Sequence, residues 1–184
     1  MHTTSAEKRR ILLYSTNIWY FAEGMLGPLL AVFTNQIGGN IFDITWAWAI
    51  YLVVAGCLTI IVGYISDYVS KEKLMISGYM LNAAFTIGYI FVENSRGLFI
   101  VQAGLGIASA LATPTWDALY TKYSEEKKAG YIWGLHTGQM QIISGIAIIT
   151  SGAILNYFSF KILFMIMGLI QIIAALYQMK ILNG

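Results

Sequence analysis

The stretch Trp19-Tyr20-Phe21-Ala22-Glu23-Gly24-Met25-Leu26-Gly27-Pro28 puts a carboxylate, two glycines and a proline into an apolar run from Ile11 to Ile37. As a helix that run is about 40 Å long, and Glu23 sits about 18 Å from its Ile11 end. An acid at that depth in a bilayer costs several kcal/mol unless it is neutral, paired or wet. Glu23 is therefore either a functional group, binding a proton or a cation, or a protonated acid hydrogen-bonded between helices. Trp19 and Tyr20 beside it offer ring faces that suit a cationic or partly aromatic molecule. No Lys or Arg lies inside an apolar segment away from its ends, which disfavours strongly anionic solutes such as organic phosphates.

Further polar residues cluster downstream. On a helical wheel Gln102, Gly106, Ser109, Thr113, Trp116 and Tyr120 share one narrow stripe, with Asp117 at its edge. That stripe is either the wall of a wet cavity or a run of small residues for close helix packing. After Tyr131, His136 and Gln139 stand where they could face a cavity from its cytoplasmic end, and Gly134 and Gly138 have the spacing of a close helix contact. The chain has no His-Glu-x-x-His, no Gly-x-Ser-x-Gly, no phosphate loop and no Cys/His metal cluster. Gly104-x-Gly106-x-x-Ser109 follows no strand and so is not a nucleotide fingerprint. Neither an enzyme nor a cofactor is expected.

These groups must be held by membrane-spanning helices. Of 184 residues, 58% are hydrophobic and 11% charged, more apolar surface than a soluble core of this size can hide. Six apolar segments follow one another: Ile11–Ile37, Thr45–Ile65, Leu74–Val92, Leu98–Tyr120, Tyr131–Leu155 and Ile162–Met179. The breaks are short, so neighbouring helices run antiparallel. The expected fold is one all-α domain, residues 1–184, an up-and-down bundle of six transmembrane helices. Nine of the eleven basic residues fall on the N-terminal side, leaving Arg96 and Lys161 opposite, which puts both termini in the cytoplasm. Lys8-Arg9-Arg10 precedes a run too long for a signal peptide, so the first segment reads as a retained helix. The basic residues are scattered over loops, so no nucleic-acid partner is expected. Cys57 has no partner for a disulfide and reads as a packing residue.

The loop Gly63-Tyr64-Ile65-Ser66-Asp67-Tyr68-Val69-Ser70-Lys71-Glu72-Lys73 resembles the Gly-x-x-x-Asp-(Arg/Lys)-x-Gly-x-(Arg/Lys) motif of the major facilitator superfamily, which lies between that family's second and third helices. Tyr68 and Ser70 stand where a basic residue and a glycine are usual. Gln102-Ala103-Gly104-Leu105-Gly106-Ile107-Ala108-Ser109-Ala110 is similar to the family's glycine-rich fourth helix, and Pro114-Thr115-Trp116-Asp117-Ala118-Leu119 to its cytoplasmic end. Glu125-Glu126-Lys127-Lys128-Ala129-Gly130 is similar to the charged loop before helix five. Ile100 stands where the family often has an arginine, and segment five lacks the antiporters' Gly-Pro motif. The resemblance covers one six-helix half of a family that ordinarily has twelve helices. It implies a 3+3 inverted repeat in which segments one and four flank a cavity. It also implies conformational roles for Gly63, Asp67, Lys71, Lys73 and Asp117.

The expected function is a half-size secondary transporter in the plasma (inner) membrane, in contact with lipid. It acts as a parallel homodimer, or with a separate second half, and moves a small neutral or cationic solute by alternating access. Coupling to protons through Glu23 is part of that reading. Trp19, Tyr20, Gln102, Ser109, Thr113, Trp116, His136 and Gln139 complete the candidate binding set. A membrane binding or scaffold protein, a transporter fragment without transport of its own, and a small channel remain as alternatives.

Overall fold

The computed structural model describes residues 4–124 and 128–183; Glu125, Glu126 and Lys127 of the charged loop lie outside the described residues. The chain forms α1 (Ser5–Gly24), α2 (Leu29–Gln36), α3 (Ile41–Ile65), α4 (Lys71–Gly88), α5 (Ser95–Lys122), α6 (Ala129–Tyr157) and α7 (Phe160–Gln178). Short 3-10 stretches follow α4 at Tyr89–Phe91 and α7 at Met179–Asn183. Polar residues in the breaks start the helices by accepting from otherwise unpaired amides. Thr4 and Glu7 form a reciprocal capping box at α1, and Asn40 and Asp43 another at α3. Ser70 caps α4 by accepting from the Lys73 amide at 3.3 Å, and Asn94 caps α5 by accepting from the Gly97 amide at 3.1 Å.

Five helices, Ile41–Ile65, Lys71–Phe91, Ser95–Lys122, Ala129–Tyr157 and Phe160–Leu182, are long and apolar enough to cross a membrane. The first apolar segment is not one helix. It is divided into α1 and α2 by the turn at Met25 to Pro28, because Pro28 has no amide to give the Gly24 carbonyl. Tighter bonds replace the regular ladder there: Met25 donates to the Ala22 carbonyl at 3.2 Å and Leu26 to the Glu23 carbonyl at 3.3 Å. After α2, Gly38 adopts φ +79°, the left-handed conformation that turns the chain into α3.

α4, α5 and α7 form the centre, with α1 against α7. α3 lies mainly along α5 and α6 mainly along α1, so these two are the most exposed helices. Cys57, expected to pack, is exposed on α3 instead, since the rotation of α3 turns Ala47 and Val62 inward. Close approach is bought with glycine at the crossings. A Cβ on Gly78 of α4 would lie 2.7 Å from the Ala112 nitrogen of α5, and one on Gly106 of α5 would lie 2.8 Å from the Tyr51 carbonyl oxygen of α3. One on Gly24 would meet the Ser144 Cα of α6 at 2.8 Å.

Two apolar clusters close the ends of the bundle. Leu12, Met75, Leu119, Tyr120 and Ile181 pack at the end where α1 begins. Phe33, Tyr89, Leu98, Phe160 and Phe164 pack at the opposite end, with the Tyr89 and Phe164 rings stacked at 4.7 Å. Between them lies a belt of buried polar side chains: Thr16, Asn82, Thr86, Gln102 and Gln171.

Because Gly78 meets backbone rather than a flexible side chain, Gly78→Ala should force α4 from α5 and cost about 1–3 kcal/mol. Gly56→Ala on α3, with nothing within 4 Å of the new Cβ, should be neutral or gain up to about 1 kcal/mol. Thermal unfolding of both variants in detergent checks the contrast.

Candidate functional site: two stacked cavities around Glu23

The polar belt borders two cavities. The near cavity, toward the end where α1 begins, holds about 40 Å³ and the far cavity about 200 Å³. They follow one another along α1, α4 and α5, while α3 and α7 line only the far one. On α1 the near cavity takes Thr16, Trp19 and Tyr20, and the far one takes Glu23. On α4 the order is Tyr79 and Asn82, then Thr86; on the antiparallel α5 it reverses, with Asp117, Trp116, Thr113 and Ser109 near and Gln102 far. Asn82, which lines the near cavity, approaches the Glu23 carboxyl, which lines the far one. Glu23 and Asn82 thus stand at the boundary between the two.

The near cavity has aromatic walls. Trp19 and Tyr20 meet edge to face at 5.0 Å, and Trp19 lies 5.7 Å from Tyr79, whose hydroxyl shares a hydrogen bond of 2.9 Å with Thr16. The indole N–H groups of Trp19 and Trp116 are buried without acceptors. Among the described residues no Lys or Arg lines either cavity. In the far cavity Gln171 of α7 is fully buried, and neither its amide oxygen nor its nitrogen has a partner. The Tyr89 hydroxyl, also buried there, is likewise unpartnered.

The candidate residues from the sequence fall into several groups. Trp19, Tyr20, Ser109, Thr113, Trp116 and Asp117 come together around the near cavity, and Glu23 and Gln102 in the far one. The stripe on α5 is therefore not one continuous wall. Gly106 interrupts it by touching α3, and Tyr120 is buried, donating to the Ile132 carbonyl at 3.1 Å. His136 lines neither cavity; it is buried behind the near one, its ring 4.4 Å from that of Trp116. Gln139 likewise lies outside both, accepting from the Asn17 amide at 3.1 Å.

The loop residues stand apart at the near end. Lys71 bridges the Asp67 carboxylate at 2.9 Å and also donates to the Ser66 carbonyl at 2.6 Å. Gly63 has open space around it, and Lys73 is exposed. At the same end the Tyr123 phenol is pushed above its ordinary pKa by burial and by the nearby Glu72 carboxylate.

Asn82, Thr86, Tyr89 and Gln171 were not singled out from the sequence. Their signal was present: Asn82 and Thr86 are polar residues one helical turn apart inside an apolar span, and Gln171 is an amide in the middle of another.

Helices of membrane-crossing length around buried, partly unpartnered polar groups define an integral membrane protein with an internal site. The Major Facilitator Superfamily model matches residues 12–182, and the chain belongs to that family. The chain is 24% identical over 153 residues to an uncharacterized MFS-type transporter of Methanocaldococcus jannaschii, covering 83% of this chain and 40% of that protein. It is 22% identical over 182 residues to the multidrug resistance protein MdtG of Escherichia coli, covering 95% of this chain and 45% of that protein. The MdtG protein of Escherichia fergusonii is 21% identical over 171 residues. The chain thus spans less than half the length of these curated relatives. The family is one of transporters rather than enzymes.

If the near cavity is wet, cysteines at Ser109 and Thr113 in a Cys57→Ser background should react with water-soluble thiol reagents. A cysteine at Ala110, fully buried and outside both linings, should stay unlabelled. Equal labelling of all three would mean that this face of α5 serves packing alone.

Proposed function

We propose that this chain is one six-helix half of a secondary transporter, with α1 and α2 together forming the sixth span beside the five long helices. Assembled with a second half, it moves a small neutral or cationic solute by alternating access. The observation that carries this reading is the placement of one acid, Glu23, between two cavities whose linings hold aromatic rings and carboxylates but no base. A cation gains from Asp117, Glu23 and the ring faces of Trp19, Tyr20 and Trp116, whereas an anion would meet no positive charge there. The free indole N–H groups of Trp19 and Trp116 supply donors for an acceptor on the solute. In this reading Glu23 carries the coupling proton, His136 backs the aromatic wall, and Gln139 with Asn17 holds α6 to α1. Similarity to proteins named for multidrug resistance suits a solute recognised by ring faces more than by a fixed hydrogen-bond pattern.

The need for a second half is supported by α6. Gly134, Gly138, Gly145 and Gly152 have nothing within 4 Å of where a Cβ would stand, so close-packing residues are left without a helix to pack on. A second copy inserted the same way up supplies such a helix through a two-fold axis along the membrane normal. Both termini are then cytoplasmic, in a plasma membrane, as the basic residues favour. Asp67, its side chain 70% exposed beside Lys71, is available to the partner's α6 N-terminus, where a carboxylate is favoured. Such a contact would hold the cytoplasmic side closed, with Gly63, Lys71 and Lys73 shaping the loop that presents it.

Two measurements test this. In proteoliposomes loaded with a lipophilic cation, Glu23→Gln should abolish pH-dependent transport, and wild-type transport by that variant would sink the coupling role. Cysteines at Asp67 and Gly130 should crosslink between chains in native membranes; monomers, or crosslinks within one chain only, would rule out the dimer.

A further inference from the structure

We propose that the far cavity is a water-filled antechamber through which protons reach Glu23 from inside the six-helix bundle, with Gln171 as the positioning residue that holds the water. This deepens the transport reading and rests on it for the role of Glu23 as the proton carrier.

Gln171 is the strongest sign of an occupant. It is 0% exposed, lines the far cavity, and leaves both its amide oxygen and its nitrogen without a partner. A buried polar group left unpaired keeps the full cost of its lost hydration, so an empty cavity would leave that cost standing. The unpartnered Tyr89 hydroxyl, the buried Thr86 hydroxyl and the buried Gln102 amide line the same space, as does Glu23. Donors and acceptors therefore converge from α1, α4 with its following turn, α5 and α7. Cavities that stay dry are apolar throughout; this one sets Glu23, Thr86, Gln102 and Gln171 into a wall shared with Leu26, Leu30, Leu105 and Met167, and its volume of about 200 Å³ takes several waters. A water there finds the two to four partners that ordered water needs.

The position of Glu23 gives the water a task. A hydronium in the far cavity can pass a proton to the carboxylate: an O–H bond forms on Glu23, one breaks on the hydronium, and neutral water remains. The acid then returns the proton to water on the near side, past Asn82. Among the described residues Glu23 is the only carboxyl lining the far cavity, and the titratable groups that face it are neutral phenols. They are Tyr20 on its own helix, Tyr51 on α3, and Tyr79 and Tyr89 from α4 and its turn. α7 offers only the neutral Gln171, and Asp117 of α5 and His136 of α6 lie outside the far cavity.

Hydroxyl-radical footprinting of the chain in lipid nanodiscs tests the water directly. Met167 lines the far cavity at 2% exposure, while Met75, at 0% exposure in the near-end cluster, lines neither cavity and has its sulfur covered by the Gln178 amide. Met167 should oxidise several-fold faster than Met75; equally slow oxidation overturns the proposal. Gln171→Leu should keep the fold, lower Met167 labelling toward that of Met75, and slow deuterium exchange at the Glu23 carboxyl, followed by its infrared band at low pH. Gln171→Asn, which keeps an amide, should restore much of both. Unchanged exchange in folded Gln171→Leu overturns the positioning role. Suppression of Met167 labelling by sodium but not by choline would mark a cation site and overturn the water path. Normal pH-dependent transport by Glu23→Gln with a wet chamber would sink the coupling role of Glu23 in the proposed function and leave the hydrated chamber standing.

Discussion

In hydrocarbon a backbone N–H or C=O without a partner costs several kcal/mol, so the break between α1 and α2 needs protein or water around it. Pro28 takes a donor from the first segment, and the chain answers with tight bonds at Met25 and Leu26 and a new helix from Leu29. The break lies beside Glu23, against α6 through Gly24 and against the far cavity through Gly27. Had the same residues faced lipid, neither the acid nor the freed carbonyl would have a stabilising neighbour. The placement of α1 inside the bundle follows from that single requirement.

Helix–helix contact in a membrane gains little from hydrophobicity, since lipid is as apolar as leucine, and so depends on how closely backbones approach. Gly24, Gly78 and Gly106 each sit where a methyl group would strike another helix's backbone. These contacts fix α6 on α1, α4 on α5 and α3 on α5, and thereby fix which residues face inward. Gly134, Gly138, Gly145 and Gly152 of α6, by contrast, have nothing within 4 Å of where a Cβ would stand.

The two apolar clusters at the ends of the bundle have few polar groups to satisfy; the belt between them has many. Some pair locally: Thr115 donates to the Leu111 carbonyl, Thr16 pairs with Tyr79, and Ser15 with Gln178. Others do not: Trp19, Trp116, Tyr89 and Gln171 keep unpartnered polar atoms. Those four and Asn82 border the cavities, whereas Asn17 and His136, which also keep an unpartnered buried atom, line neither.

Much of this was determined by sequence alone. Length and apolarity of the segments mark the five long helices, because hydropathy is a local property. The cap at Asn40 and Asp43 and the break at Pro28 have equally local causes, yet the sequence reads as one helix from Ile11 to Ile37 and a second starting at Thr45. The family could be read from Gly63, Asp67 and Lys71 and from the glycines of α5. The rotation of each helix about its own axis is not local. It is set by which glycine finds which backbone, so only the tertiary structure placed Cys57 outward, split the α5 stripe between two cavities, and left His136 behind Trp116. For the same reason only the fold could bring Asn82, Thr86 and Gln171 to Glu23: residues on separate helices become neighbours through crossings that neither helix encodes by itself.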